Sequence, residues 1–125
     1  MPRLMSVAFT EQAVRERRKT VTRRKGWWTD KHGKRLLWPG DRLTLCRKVM
    51  GRKPGEPLVR IAEVEVVSVC REQLINAAHF LEMDREGCGH LTFGEFVERY
   101  FKPQGLGLRD YVTRIEWRYL DSEAT

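Results

Sequence analysis

Residues 58–69 read LVRIAEVEVVSV, the longest strand candidate in the chain, and its alternation slips. Val59 and Ile61 share one parity, whereas Ala62, Val64 and Val66 share the other. A strand shows a core every second residue, so a change of parity marks an extra residue, a β-bulge, which bends the strand sharply. The pattern therefore predicts a curved sheet or small barrel rather than a flat sheet.

The flanking segments supply partners for that strand. Upstream, Pro39 and Gly40 signal a turn before a strand over Arg42–Lys48, where Leu43 and Leu45 alternate with Thr44 and Cys46. Residues 50–56, with two Gly and one Pro, read as the hairpin connection. Downstream, Leu74, Ala78 and Leu81, with Ile75 beside them, predict a helix over Glu72–Leu81 packed on the sheet. A second helix is expected to begin near Thr92. Residues 111–120 place Ile115, Trp117 and Tyr119 on one strand face and Arg114, Glu116 and Arg118 on the other, a half-buried closing strand. At the start of the chain, Leu4–Phe9 reads as a short strand, and Thr10 as the cap of a basic helix running to about Arg17. KTVTRR, residues 19–24, is expected to be extended, and residues 26–41 to form a loop.

A chain of 125 residues with 41% hydrophobic and 33% charged side chains fits one α+β domain, residues 1–125, around a single core. No apolar run approaches the ~20 residues of a membrane span, and the opening MPRLMSVAF lacks the uninterrupted apolar stretch of a secretory signal. A cytoplasmic location is expected. Cys46, Cys70 and Cys88 are odd in number and scattered, which forms neither a disulfide framework nor a CxxC pair.

Charge points to a partner. Residues 1–60 hold 17 Lys and Arg against 5 acids, and residues 61–125 hold 7 against 12. A basic half attracts a polyanion by releasing its counterions, so nucleic acid is the expected partner, against the plainer reading of a solvated surface. Within that half, Arg17, Arg18, Lys19, Arg23 and Arg24 are followed by Trp27 and Trp28. Cations neutralise phosphates while an indole face stacks on a base for ~1–3 kcal/mol, so these seven residues are the candidate nucleic-acid contacts. The alternative is that the two Trp plug the end of a barrel. Trp38 is expected in the core.

Other motifs carry less. Asp84, Gly89, Leu91, Thr92 and Glu95 have the spacing of a calcium loop, but Glu86 is too long for its position and Cys88 replaces a hard oxygen ligand with sulfur. The same letters form a Thr92–Glu95 capping box with Leu91 and Phe96 as its hydrophobic staple. Cys88, His90, His32 and His79 have no metal-ligand spacing, and neither a P-loop, a GxGxxG nor a nucleophile elbow occurs. No metal and no cofactor are expected.

Five segments in order, KTVTRR, WPGDRLTL, VRIAEVEVVSV, REGCGHLTFGEFVERYF and VTRIEWRYL, resemble the ASCH domain, a PUA-like barrel of bacteria and phages. The resemblance implies a small curved β-barrel of about five or six strands with flanking helices. The family signature G-x-K-x-x-T-x-R falls on Arg17, Lys19, Thr22 and Arg24, so its Lys, Thr and Arg are kept and its Gly is not. A left-handed exit from the helix costs Arg17 about 1 kcal/mol more than Gly, so a different turn is expected there. The resemblance also implies a cleft lined by the signature and by the acid of the Glu86–Gly87 pair, with Glu82 as the other candidate acid.

Members of the family are associated with RNA or nucleotide recognition, and some small ones resemble amidohydrolases that deacetylate acetylcytidine. The implied catalytic trio is Lys19, Thr22 and Glu86. A Thr hydroxyl needs a base, and Lys19 among so many cations is expected to have its ammonium form disfavoured. Residues three apart in a strand face opposite ways, so Lys19 and Thr22 share a cleft only if Lys19 lies in the turn or a bulge intervenes. The expected function is a nucleic-acid or modified-nucleotide binding module, RNA foremost, with no membrane partner. The alternative is the amidohydrolase.

Overall fold

A computed structural model describes residues 2–120. Its strands are β1 (Arg3–Ser6), β2 (Val21–Arg24), β3 (Arg42–Cys46), β4 (Arg60–Gln73) and β5 (Tyr111–Tyr119). Its helices are α1 (Glu11–Arg15), α2 (Phe80–Arg85) and α3 (Phe93–Tyr100), with short 3-10 turns at Ala8–Thr10, Leu74–Ala77 and Lys102–Gln104. The strands form one mixed sheet in the order β1-β3-β4-β5-β2, in which β1 and β3 run parallel and the other pairs antiparallel.

The sheet curls because β4 is bulged twice. Leu45 pairs with Ala62 and Cys46 with Arg60, which leaves Ile61 unpaired where the parity of the sequence slips. Val66 pairs with Trp117 and Ser68 with Glu116, which skips Val67. Between the bulges Ala62, Val64 and Val66 point inward, and beyond the second bulge Val69 does. The curl brings the two edge strands together: Arg24 of β2 donates from Nη2 to the Ser6 carbonyl of β1 at 2.5 Å. The result is a half-barrel of five strands with three flanking helices, the α+β class expected.

Two apolar clusters fill it. One, under the sheet, includes Met5, Leu43, Leu45, Val64, Ile115 and Trp117, with Trp27 and Trp28 packed on its margin. The other, under α2 and α3, includes Leu74, Met83, Phe96, Phe101 and Val112. Each fully buried aliphatic side chain contributes about 1.5–3 kcal/mol. Among the described residues no helix is long and apolar enough to cross a membrane.

Several local expectations are corrected. β1 ends at Ser6, and Phe9 lies in a 3-10 turn, 81% exposed. α1 ends at Arg15, and its Thr10 caps nothing, because φ −127° and ψ 25° turn the hydroxyl away from the first free amides. Arg17 does adopt the left-handed conformation at φ 62°; its guanidinium lies 5.0 Å from the Tyr119 ring centroid and donates to the Val14 carbonyl at 2.9 Å. Glu72–Leu81 is not one helix. β4 continues through Gln73 because Glu72 and Gln73 still have partners, Val112 and Tyr111, on β5. The 3-10 turn then buries Leu74 and Ala77, while Ile75 and Leu81 face out. Trp38 is 56% exposed rather than in the core. Thr92 begins α3 as expected: its hydroxyl accepts from the Glu95 amide at 3.1 Å, and the Glu95 carboxylate accepts from the Thr92 amide at 2.9 Å.

Candidate functional site

A cleft of about 400 Å³ opens at the seam between the two apolar clusters. Its lining draws on residues 6–10, on β2 and the start of the following loop, and on Phe96, Tyr100, Phe101 and Gln104, with the Phe9 and Tyr100 ring centroids 5.6 Å apart. Lys19, Thr22, Arg23, Arg24, Lys25, Trp27, Glu86 and Cys88 complete the lining.

Lys19 reaches the cleft because it lies outside the strand register. α1 ends, Arg17 turns left-handed, and the amides of Arg18 and Lys19 both donate to the Ala13 carbonyl, so Lys19 precedes β2 in an irregular segment. Two side chains of β5 then hold its backbone: Trp117 Nε1 donates to the Lys19 carbonyl at 3.0 Å, and the Tyr119 hydroxyl donates to the same oxygen. Thr22 and Arg24, two apart on β2, share a face, and Arg24 Nε donates to Thr22 Oγ1 at 3.3 Å. This is how residues three apart meet in one cleft.

Glu86 arrives from the other half of the chain. It follows α2 and precedes Gly87, whose φ of 80° suits glycine, and a Cβ there would stand 2.7 Å from Ala13 Cβ and 3.4 Å from Lys19 Cβ. Close packing of this turn on α1 and Lys19 thus requires the glycine of the Glu-Gly pair. Lys19 Nζ donates to the Glu86 carbonyl at 2.7 Å and to its carboxylate at 3.3 Å, and both side chains are nearly fully buried. Burial pushes the Lys19 ammonium below its ordinary range, against the upward pull of Glu86. The neighbouring cation Arg24 contributes less than burial does. Burial likewise lowers Arg24, and raises the Cys88 thiol to about 11, which keeps it protonated at neutral pH.

Arg23, expected among the phosphate contacts, is 4% exposed and committed elsewhere. Its guanidinium bonds Glu86 at 3.0 Å, Glu72 at 3.2 Å and Glu82. Burying that charge without partners would be expensive, and the three carboxylates offset it. Glu82 belongs to this network rather than to the cleft. Burial works to raise its carboxyl, but bonds from Arg114, Arg23 and Arg85 hold it down to about 2. The acids of residues 84–95 diverge: Asp84 lies in α2, Glu86 faces Arg23, and Glu95 caps α3.

Of the other expected contacts, Arg24 and Trp27 line the cleft. Arg17 lies on Tyr119, Arg18 pairs with Glu16 at 2.6 Å on the surface, and Trp28 sits under the Arg35 guanidinium. Sequence reasoning did not single out Ser6, Phe9, Tyr100 or Gln104. Phe96 and Tyr100, four apart on one helix face with ring centroids 5.7 Å apart, were detectable by helical spacing. Phe9 was not, because its turn follows a strand whose end no residue marks.

No family model and no curated protein matches the chain. Solved structures do. Protein EF3133 from Enterococcus faecalis V583, of family model DUF984, has a TM-score of 0.67 at 14% identity, covering 96% of this chain and 80% of its own. The ASCH domain from Lactobacillus crispatus JV V101 has a TM-score of 0.58 at 15% identity, over 89% of this chain and 70% of its own. The chain has the fold of an ASCH domain. A hypothetical protein, PH0355, shares that ASCH-like fold with a TM-score of 0.56 at 14% identity, over 95% of this chain and 97% of its own. At such identities the likeness carries the architecture and leaves the chemistry to the cleft's own residues.

Proposed function

We propose that this ASCH-fold protein is a nucleic-acid or modified-nucleotide binding module, with RNA the foremost partner, and that the cleft takes a single base or nucleoside. The reading rests on one observation: Lys19, Thr22, Arg24 and Glu86 converge in a hollow of about 400 Å³ walled by Phe9, Trp27, Phe96 and Tyr100. That volume falls in the range of small-molecule sites, about 300–1,000 Å³. Aromatic walls favour a planar ring, and the polar groups offer both donors and an acceptor to its edge. Lys25, exposed at the rim, supplies a phosphate contact. Filter binding of single- and double-stranded RNA and DNA at several salt concentrations tests it. Saturable, salt-sensitive binding that Thr22→Val weakens at least tenfold, with unchanged circular dichroism, is the expected result; no binding to any of them refutes it.

A second reading is favoured by the buried Lys19 and its contact with Glu86. In an amidohydrolase acting on acetylcytidine, Thr22 Oγ attacks the amide carbon and Lys19 takes the hydroxyl proton. Glu86 relays that same proton from Lys19 to the departing exocyclic amine of cytosine, and water then cleaves the acyl-threonine to acetate and restores the Thr22 hydroxyl. Thr22 Oγ1 accepts from Arg24 and not from Lys19 Nζ, so this reading needs the substrate to draw the pair together. Incubation with acetylcytidine followed by chromatography decides between them: turnover lost in Lys19→Ala establishes the enzyme, and binding without product the module.

A further inference from the structure

Outside the cleft, the loop between β2 and β3 builds a second aromatic feature. The Arg35 guanidinium lies between two indoles, 4.2 Å from the Trp28 ring centroid and 4.5 Å from that of Trp38. Trp28 packs on the core, Arg35 Nη2 donates to the Val69 carbonyl at 3.2 Å, and Trp38 remains 56% exposed. The backbone at Trp38 is tied down on both sides: its amide donates to the Asp41 carboxylate at 2.9 Å, its carbonyl accepts the Asp41 amide at 3.0 Å, and Gly40 and Asp41 exchange bonds with Val66 of β4. One face of the Trp38 ring is thus covered by a cation and its backbone is fixed, while much of the ring stays in water.

The surroundings are cationic. A groove of about 450 Å³ is lined by Leu36, Leu37 and Gly40, which flank Trp38 in sequence, and by Arg3 and Arg42, both exposed, and neither pairs with a carboxylate among the described residues. Asp41 also lines it, with its carboxylate engaged by the Trp38 amide. The hairpin closed by the Thr29–Arg35 bridge carries Lys31 and Lys34, exposed and likewise unpaired among the described residues.

We propose that Trp38, backed by Arg35 and Trp28, is a stacking platform for a base of single-stranded nucleic acid, with Arg3, Arg42 and Lys34 taking the adjoining phosphates. An indole held by a stacked guanidinium keeps its orientation without a ligand, and a base has a π-face to match whatever its identity. Nearby unpaired cations attract the backbone that must accompany the base. The inference takes from the proposed function only the class of partner, and it adds a contact away from the cleft.

Fluorescence anisotropy on the whole protein tests it, with labelled 12-mers of single-stranded RNA, single-stranded DNA and duplex, and with a free nucleoside. Trp38→Ala is expected to weaken the single-stranded oligomers by about ten- to a hundredfold, as loss of a stacked base does. Trp38→Phe should largely restore them, and nucleoside binding should be unchanged. The Arg3→Glu/Arg42→Glu double variant should flatten the salt dependence by about two phosphates. Equal binding of the oligomers by Trp38→Ala and wild type, or equal affinity for duplex and single strands, overturns the platform. Loss in Trp38→Ala without loss in Thr22→Val upholds the platform and removes the cleft reading. The RNA and DNA arms identify which strand is held.

Discussion

Gly87 shows how one missing side chain places a buried carboxylate. Its positive φ and its lack of a Cβ, which would stand 2.7 Å from Ala13 Cβ, let the chain after α2 press against α1, which delivers Glu86 to Lys19. Gly87→Ala should therefore cost both the left-handed strain and a clash, about 2–4 kcal/mol in urea unfolding. Gly105 has nearly the same φ, 78°, but a Cβ there would meet nothing within 4 Å, so Gly105→Ala should cost only about 1 kcal/mol. Equal losses at the two sites would refute the packing account. The Glu-Gly pair was readable by resemblance, but not its reason: Ala13 is seventy-four residues away in sequence, and only folding makes them neighbours.

Among the elements, α3 was foreseen best, because its signals are local. Thr92, Glu95, Leu91 and Phe96 fall at the four positions of a capping box and staple, and the reciprocal bonds form within four residues. Thr92→Ala should remove about 1 kcal/mol and lower the melting temperature by roughly 3–5 °C. Since α3 carries Phe96 and Tyr100 to the cleft, nucleoside affinity should fall with it; an unchanged melting curve would mean the cap contributes nothing. The segment 72–81 failed for the opposite reason. Its helical spacing of Leu74, Ala78 and Leu81 competes with ladder bonds offered by β5, and those long-range bonds keep Glu72 and Gln73 in β4. A local period loses to a strand already paired.

At the scale of the whole molecule, the charge asymmetry of the sequence is partly an internal matter. Lys19 and Arg23 from the basic half are met by Glu72, Glu82 and Glu86 from the acidic half, and Arg114 and Arg85 close the network on Glu82. Glu82 has a carboxyl held at about 2 in the fold against an ordinary 4.5, so the stability it confers is present above pH 4.5 and is lost as pH falls toward 2. Glu82→Gln should lower stability at pH 7 by about 3 kcal/mol, with the gap to wild type closing in acid. Chemical unfolding at pH 7 and near pH 2.5 measures this, and a gap independent of pH would count against it. Alternation, turn residues and capping letters were enough to read the curved α+β sheet, the first bulge in β4, β5 and α3, because each depends on neighbours a few residues apart. The gathering of Lys19, Thr22, Arg24 and Glu86, the burial of Arg23 and the exposure of Trp38 arose only on folding, because they depend on which distant backbone and charge each side chain meets.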